Sequence, residues 1–280
     1  MLLKMVLVTV MIVMFVLISV AGTGQHAAMA TGRAWIFSAP PRGSKKAETA
    51  RYAPIAHFLQ TVSHHRIIYH YPGTWLNYSR QMVDGRFDLI FDGPHFTGWR
   101  DRHLGYTPLV RLPHPITFVV VERANERFRR IRQLAGRPIC ANSPPYLGTL
   151  MVLNHFPNPD VQPYIVVIHG WLVAYRDLMR DECVATVLPL ANLRSLERGG
   201  HPVRVLYKSP AYSNQAISAS PRIPRAIQRR LRTALLSPAG RIVTRPLRRV
   251  YVAKPFIRAS AKDYVGLGRF LKNTLYFGYK

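Results

Sequence analysis

Phe87-Asp88-Leu89-Ile90-Phe91-Asp92-Gly93-Pro94-His95-Phe96 decides how the rest of this chain is read. Phe87 to Phe91 is short, apolar and bounded, which predicts a buried strand. It opens into Asp92-Gly93-Pro94-His95, where a glycine lets backbone approach a ligand and Asp92 either receives an amine or caps a helix. Upstream, Thr74 suits a helix cap, and Trp75, Tyr78 and Met82 recur at helical spacing as a core stripe. A helix handing over to a buried strand is the repeating step of layered α/β architecture.

The same step recurs in both directions. Towards the N-terminus, Ile67 to Tyr71 and Ala34 to Ser38 read as strands. Between them a helix is predicted from about Ser44, with Tyr52, Ile55, Ala56 and Leu59 as its apolar face and Pro54 as a kink or restart. Towards the C-terminus, Pro108 to Leu112 and Ile116 to Val121 follow as strands, the second apolar enough to be covered on both faces. A new cycle then begins: strand at Pro138-Ile139-Cys140-Ala141, helix over Gly148 to Phe156, strand at Tyr164 to Ile168, helix over Trp171 to Asp181, and strands at Val184 to Leu188 and Val203 to Tyr207. After Ser209-Pro210, Pro224 suits the first turn of a helix with Ile223, Ala226, Ile227, Leu231, Ala234 and Leu235 on its apolar face and Arg225, Arg229 and Arg232 largely opposite. Ser237-Pro238-Ala239-Gly240 ends it, and the aromatics from Phe256 to Tyr279 predict a tail that packs back on the fold.

The first thirty residues carry a different signal. Lys4 precedes an apolar run from Met5 to Ala21, and Ala28-Met29-Ala30 offers a small-x-small cleavage site before Thr31. Residues 1–30 therefore read as a signal peptide, or as an uncleaved anchor whose Lys4 side stays cytoplasmic, and either places residues 31–280 outside the cytoplasm. Beyond the leader about 250 residues remain, enough for one large domain or two lobes.

The formal net charge is +26, of which the leader contributes only Lys4. Residues 198–262 hold fifteen Lys or Arg and no Asp or Glu, a face suited to anionic lipid headgroups or an acidic partner. No zinc-finger spacing or single-strand-binding module accompanies that charge, so specific nucleic-acid recognition is not expected. Cys140 and Cys183 are the only cysteines, and in an oxidising compartment they read as a disulfide or as two separately buried thiols. The histidines lack ligand spacing, no G-x-S-x-G elbow is present, and Asp88 and Asp92 make no identifiable carboxylate pair. Neither enzyme activity nor a cofactor is expected.

Several stretches together resemble a known family: Phe37-Ser38-Ala39-Pro40-Pro41, Tyr52 to Leu59, Met82 to Pro94, Leu134 to Cys140, Asp181 to Ala185 and Ile217 to Pro221. In order and spacing they are similar to the periplasmic phosphonate, phosphite and phosphate substrate-binding proteins of ABC import systems. The resemblance implies a two-lobed type II periplasmic binding protein fold, with lobe one over 31–115 plus 212–280 and lobe two over 116–211. It also implies a small oxyanion or zwitterion gripped at helix N-termini in the cleft, and an ABC permease that reads the closed state.

On this chain the implied ligand contacts are Arg42, Ser44 and Lys45 after the first strand, Asp92 and His95 after the third, and Asn142, Ser143 and Tyr146 in the second lobe. The turn at Gly43-Ser44-Lys45-Lys46 offers backbone donors, a hydroxyl and positive charge, although an ordinary capped surface turn has the same residues. Pro144 and Pro145 depart from the family's Ser/Thr-rich loop and remove two N–H donors. That departure points away from phosphonate itself, towards another small anion, a zwitterion or a cleft without ligand. A competing expectation is a membrane-anchored periplasmic accessory subunit or adaptor that uses the scaffold to engage an inner-membrane complex or lipid.

Overall fold

Two α/β sheets form in succession, and the chain returns to the first after finishing the second. The computed structural model describes residues 32–196 and 203–278. The leader or anchor expected over residues 1–30 lies outside them, and among the described residues no helix is long and apolar enough to cross a membrane.

In the first sheet, β1 (Trp35–Ser38), β2 (Ile67–His70) and β3 (Leu89–Asp92) are parallel, connected by α1 (Lys45–Ser63) and α2 (Trp75–Val83). Helix α3 (Pro94–Leu104) then leads to β4 (Thr107–Arg111). The second sheet opens with β5 (Phe118–Arg123), followed by β6 (Pro138–Ala141), α4 (Leu147–Leu153), β7 (Tyr164–Val167), α5 (Trp171–Met179), β8 (Ala185–Pro189), α6 (Leu190–Leu196) and β9 (Val203–Lys208). The chain then re-enters the first sheet with β10 (Ala216–Ala219), antiparallel to both β3 and β4. Helices α7 (Arg225–Leu236), α8 (Pro238–Val243) and α9 (Arg245–Arg249) and the edge strand β11 (Ile257–Arg258) complete it. The strand orders are β11-β4-β10-β3-β1-β2 and β7-β6-β8-β5-β9, so β2-β1-β3 and β7-β6-β8 repeat one arrangement.

Side-chain alternation explains the layering. Leu89 and Phe91 of β3 pack with Phe37, Tyr52, Leu59 and Leu231 on one face, and Ile90 points the other way into a central cluster. In β5, Val119 and Val121 face Tyr175 and Leu178, whereas Phe118 and Val120 enter that same central cluster. The strand is covered on both faces, as its apolar run predicts. The central cluster draws Tyr78, Phe87 and Phe96 from the first unit and Leu134, Leu150 and Phe156 from the second, so the two sheets share a continuous core.

Three local outcomes differ from expectation. Helix α1 runs on through Pro54; both Pro54 and Ala50, whose carbonyl loses its partner there, are exposed, so water can take up the freed acceptor. Ser237 ends α7 as expected but also caps α8, accepting from Gly240 N at 3.2 Å. Ala226 is exposed rather than on the buried face of α7, where Gln228 takes a core position by donating to the carbonyls of Ile223 and Ser220. The cysteines form a disulfide, with Cα atoms 5.7 Å apart. The C-terminal tail does pack back: Tyr264, Phe270 and Phe277 are buried with Trp99 in the central cluster.

Candidate functional site

In open α/β sheets a crevice forms beyond the carboxyl ends of neighbouring strands whose connections leave in opposite directions. In the first sheet β1 lies between β2 and β3, so this point falls beyond Ser38 and Asp92. In the second sheet β6 lies between β7 and β8, which places it beyond Ala141. The eight residues singled out from the sequence sit at these strand ends, on the turns that leave them or on the first residues of the following helices: Arg42, Ser44 and Lys45; Asp92, the last residue of β3, and His95; Asn142, Ser143 and Tyr146.

Arg42 is the focus of the first turn. Its guanidinium lies 5.8 Å from the Trp75 ring and 5.7 Å from the Tyr251 ring, and Nη1 donates to the Tyr251 hydroxyl at 3.1 Å. Surrounding protein works against its charge, but the field of Tyr251, Tyr52, Tyr78 and Asp92 outweighs that and raises its pKa above the ordinary arginine value. The side chain is nevertheless exposed.

Across the recess, Tyr146 is the N-cap residue of α4, its ring 5.1 Å from Trp171 and edge-on to Phe118 at 5.9 Å. Burial raises the pKa of its phenol, while Arg42 pulls it down and Tyr251 pushes it up, so these three residues share one electrostatic neighbourhood. Ser44 caps α1 by accepting from Ala47 N at 3.3 Å, which leaves its O–H as a donor, and Lys45 begins the helix exposed to solvent. Ser143 is also exposed, with its hydroxyl donating to the Pro144 carbonyl at 3.1 Å, and the backbone carbonyl of half-buried Asn142 accepts from Thr149. No contact joins Ser44, Lys45, Asn142 or Ser143 to Arg42 among the described hydrogen bonds.

Asp92 is fully buried and committed. Arg100 engages both its oxygens, Nη2 to Oδ1 at 2.8 Å and Nη1 to Oδ2; the Tyr78 hydroxyl donates to Oδ2, and Thr97 reaches Oδ1 at 3.3 Å. Neither the cap nor an open amine acceptor describes this carboxylate, because a buried guanidinium saturates it. His95 is 3% exposed and its Nε2 donates to the Pro145 carbonyl at 2.9 Å, a link between the first unit and the second. Burial lowers its pKa to about 4, so at neutral pH the ring is uncharged with its proton on Nε2.

Sequence reading missed Tyr251, Arg100 and the part Trp75 plays beside Arg42. Trp75 carries helical spacing that marks core, Arg100 sits in a helix whose mixed composition hides its buried face, and Tyr251 lies in an arginine-rich stretch with no motif. The N-terminal Pro94 and C-terminal Gly105 of α3 were the available signal for that helix. Among the described residues no group of His, Cys, Asp and Glu is placed to hold a metal ion.

The family described as "ABC transporter, phosphonate, periplasmic substrate-binding protein" matches residues 37–264. No curated protein matches in sequence. Among solved structures, XAC2383 from Xanthomonas citri bound to ATP superposes with a TM-score of 0.66 at 12% identity, covering 86% of this chain and 98% of that one. PhnD1 from Prochlorococcus marinus in complex with methylphosphonate gives 0.57 at 13% identity, over 85% and 97%. A binding protein component of an ABC phosphonate transporter from Pseudomonas aeruginosa gives 0.58 at 9% identity, over 82% and 83%. At these identities the likeness is one of fold.

Proposed function

The chain belongs to the periplasmic substrate-binding proteins of phosphonate ABC transporters, and from that premise we propose that the recess beside Arg42 captures a small oxyanion for delivery to an inner-membrane permease. The observation that carries this reading is Arg42 itself. Its guanidinium is held between Trp75 and Tyr251 on a residue that remains exposed as a whole, and the guanidinium's one described hydrogen bond to protein is the one to Tyr251. A planar donor set held in advance costs little entropy on binding and suits the oxygens of a phosphonate, phosphate or related anion.

Ser44 and the exposed N–H groups at the start of α1 add donors and a favourable helix dipole on the same side, and Lys45 adds charge. Tyr146, Asn142 and Ser143 lie on the opposing unit, where a phenol, an amide and a hydroxyl stand in for the backbone donors that Pro144 and Pro145 lack. Asp92 has no free oxygen for an ammonium, which favours an anion over a zwitterion held at that position. Fold relatives bound to methylphosphonate and to ATP both hold phosphorus oxyanions, which agrees with this ligand class.

Binding is measured by tryptophan fluorescence and calorimetry on the purified chain against phosphate, phosphite, methylphosphonate, sulfate and acetate. One of these anions binds, and Arg42→Ala weakens it by about tenfold to a hundredfold, the worth of a charge-assisted hydrogen bond. Unchanged affinity in Arg42→Ala, or no binding by any anion, refutes the assignment.

A further inference from the structure

Beside the Arg42 recess lies a cavity of about 600 Å³ that none of the eight sequence-predicted residues lines. Its walls come from three places: Trp75 and Leu76 of α2, Leu150, Leu153 and Phe156 on and after α4, and Leu275 of the C-terminal tail. Leu76 and Leu275, both lining it, are 53% and 63% exposed, so the hollow opens to solvent and leaves large apolar side chains uncovered. The cavity adjoins the anion site through two shared walls. Trp75 forms part of its wall and also packs against the Arg42 guanidinium, and Pro144-Pro145, also lining it, directly precedes Tyr146 and carries the carbonyl bound by His95.

Size decides what it holds. At about 30 Å³ per water the volume accommodates about twenty waters, and it falls in the range of about 300–1,000 Å³ typical of sites for drug-sized organic ligands. An unsubstituted phosphate or phosphite fills only a small part of that; Lys272 on the tail wall offers such an ion charge, but Trp75, Phe156 and the four leucines offer it nothing. Resting on the reading that Arg42 binds an oxyanion, we infer that the ligand is an organic anion with a bulky apolar substituent, an alkyl or aryl phosphonate or phosphate ester, whose substituent lies over Trp75 into this cavity. The tail residues around Leu275 form its outer wall, which gives the C-terminal segment a part in selecting the ligand.

The test titrates the full chain with methyl-, butyl- and hexylphosphonate, with 1-hexanol as the uncharged control, and repeats the series in two variants that fill the cavity, Leu153→Trp and the exposed-site Leu275→Trp. Each buried methylene strengthens binding by up to about fourfold, so the five extra methylenes of hexylphosphonate strengthen it by up to about a thousandfold. With a little more than half of their surface buried, a gain of at least about fiftyfold over methylphosphonate is expected. That gain shrinks in either filled variant, whose methylphosphonate affinity stays unchanged, and hexanol alone does not bind measurably. Equal affinities for methyl- and hexylphosphonate, or a gain that both filled variants retain, overturn the inference and leave the anion site standing. Hexanol binding as tightly as hexylphosphonate overturns it too, by uncoupling the cavity from the anion. Failure of every phosphonate to bind overturns it together with the phosphorus-anion reading on which it rests, a result distinct from the others.

Discussion

Removing Asp92 separates two accounts of that carboxylate. Asp92 and Arg100 are both fully buried; Arg100 Nη2 also donates to the Ser218 hydroxyl at 2.8 Å and Nη1 to the Met82 sulfur at 3.0 Å, while its Nε–H has no partner among the described residues. Burial opposes the charge on Arg100, and Asp92 more than restores it. Asp92→Ala leaves a guanidinium without its counter-ion in the core and strands the Tyr78 hydroxyl, for which breaking a buried pair costs about 3–5 kcal/mol. Against a total stability of about 5–15 kcal/mol that is a large share, and a domain of this size loses about 10 °C of Tm. Urea unfolding followed by circular dichroism reads it directly. Asp92→Leu combined with Arg100→Met removes both charges and recovers at least half of the loss, because the pair itself contributes little beyond mutual neutralisation. If Asp92→Ala unfolds within about 1 kcal/mol of the parent chain while losing ligand, the carboxylate serves the ligand and the structural account is wrong.

Three further outcomes follow from single features. His95 has its folded pKa lowered to about 4 from an unfolded value near 6.5, so the folded state prefers the neutral ring; its contribution is complete above about pH 6.5 and is lost as pH falls towards 4, by up to about 3 kcal/mol. The difference between the parent chain and His95→Gln in urea midpoints at pH 8, 6 and 4.5 therefore narrows on acidification, and a constant difference refutes it. Cys140 and Cys183 are 43 residues apart, and closing a loop of that length stabilises the fold by about 4 kcal/mol on the chain-entropy account; the Cys140→Ser/Cys183→Ser protein should lose most of that, and less than about 1 kcal/mol would contradict it. Gly98 in α3 has room for nothing larger, since a Cβ there falls 2.4 Å from the Tyr264 carbonyl, so Gly98→Ala costs about 1–3 kcal/mol and frees the tail, seen as faster amide exchange over 261–278.

What the sequence made legible is what short-range pattern encodes. Strands at 35–38, 67–70 and 89–92, the capped starts at Ser44 and Thr74, and the doubly covered β5 all follow from alternation, capping residues and apolar runs. What it hid depends on partners far along the chain. Ala216–Ala219 has no strong strand composition and becomes a central strand only because β3 and β4 flank it from more than a hundred residues upstream. Arg100 looks like surface until Ser218 of that strand and Asp92 of β3 are brought against it.

The candidate site obeys the same division. The strand ends that open the recess were readable, because turns with glycine, proline and capping residues mark where strands stop. Which side chains complete it was not readable, because Tyr251 and Trp75 converge on Arg42 from 209 and 33 residues away in sequence. The distinction has a consequence for specificity. The residues proposed to hold an oxyanion sit on turns and strand ends fixed by local pattern, whereas the walls proposed to sort its substituent come from α2, α4 and the C-terminal tail, and meet only in the folded chain. Substitutions at Leu76, Leu153 or Leu275 can therefore change which organic anion fits while leaving Arg42, its two aromatic neighbours and the core between the sheets in place.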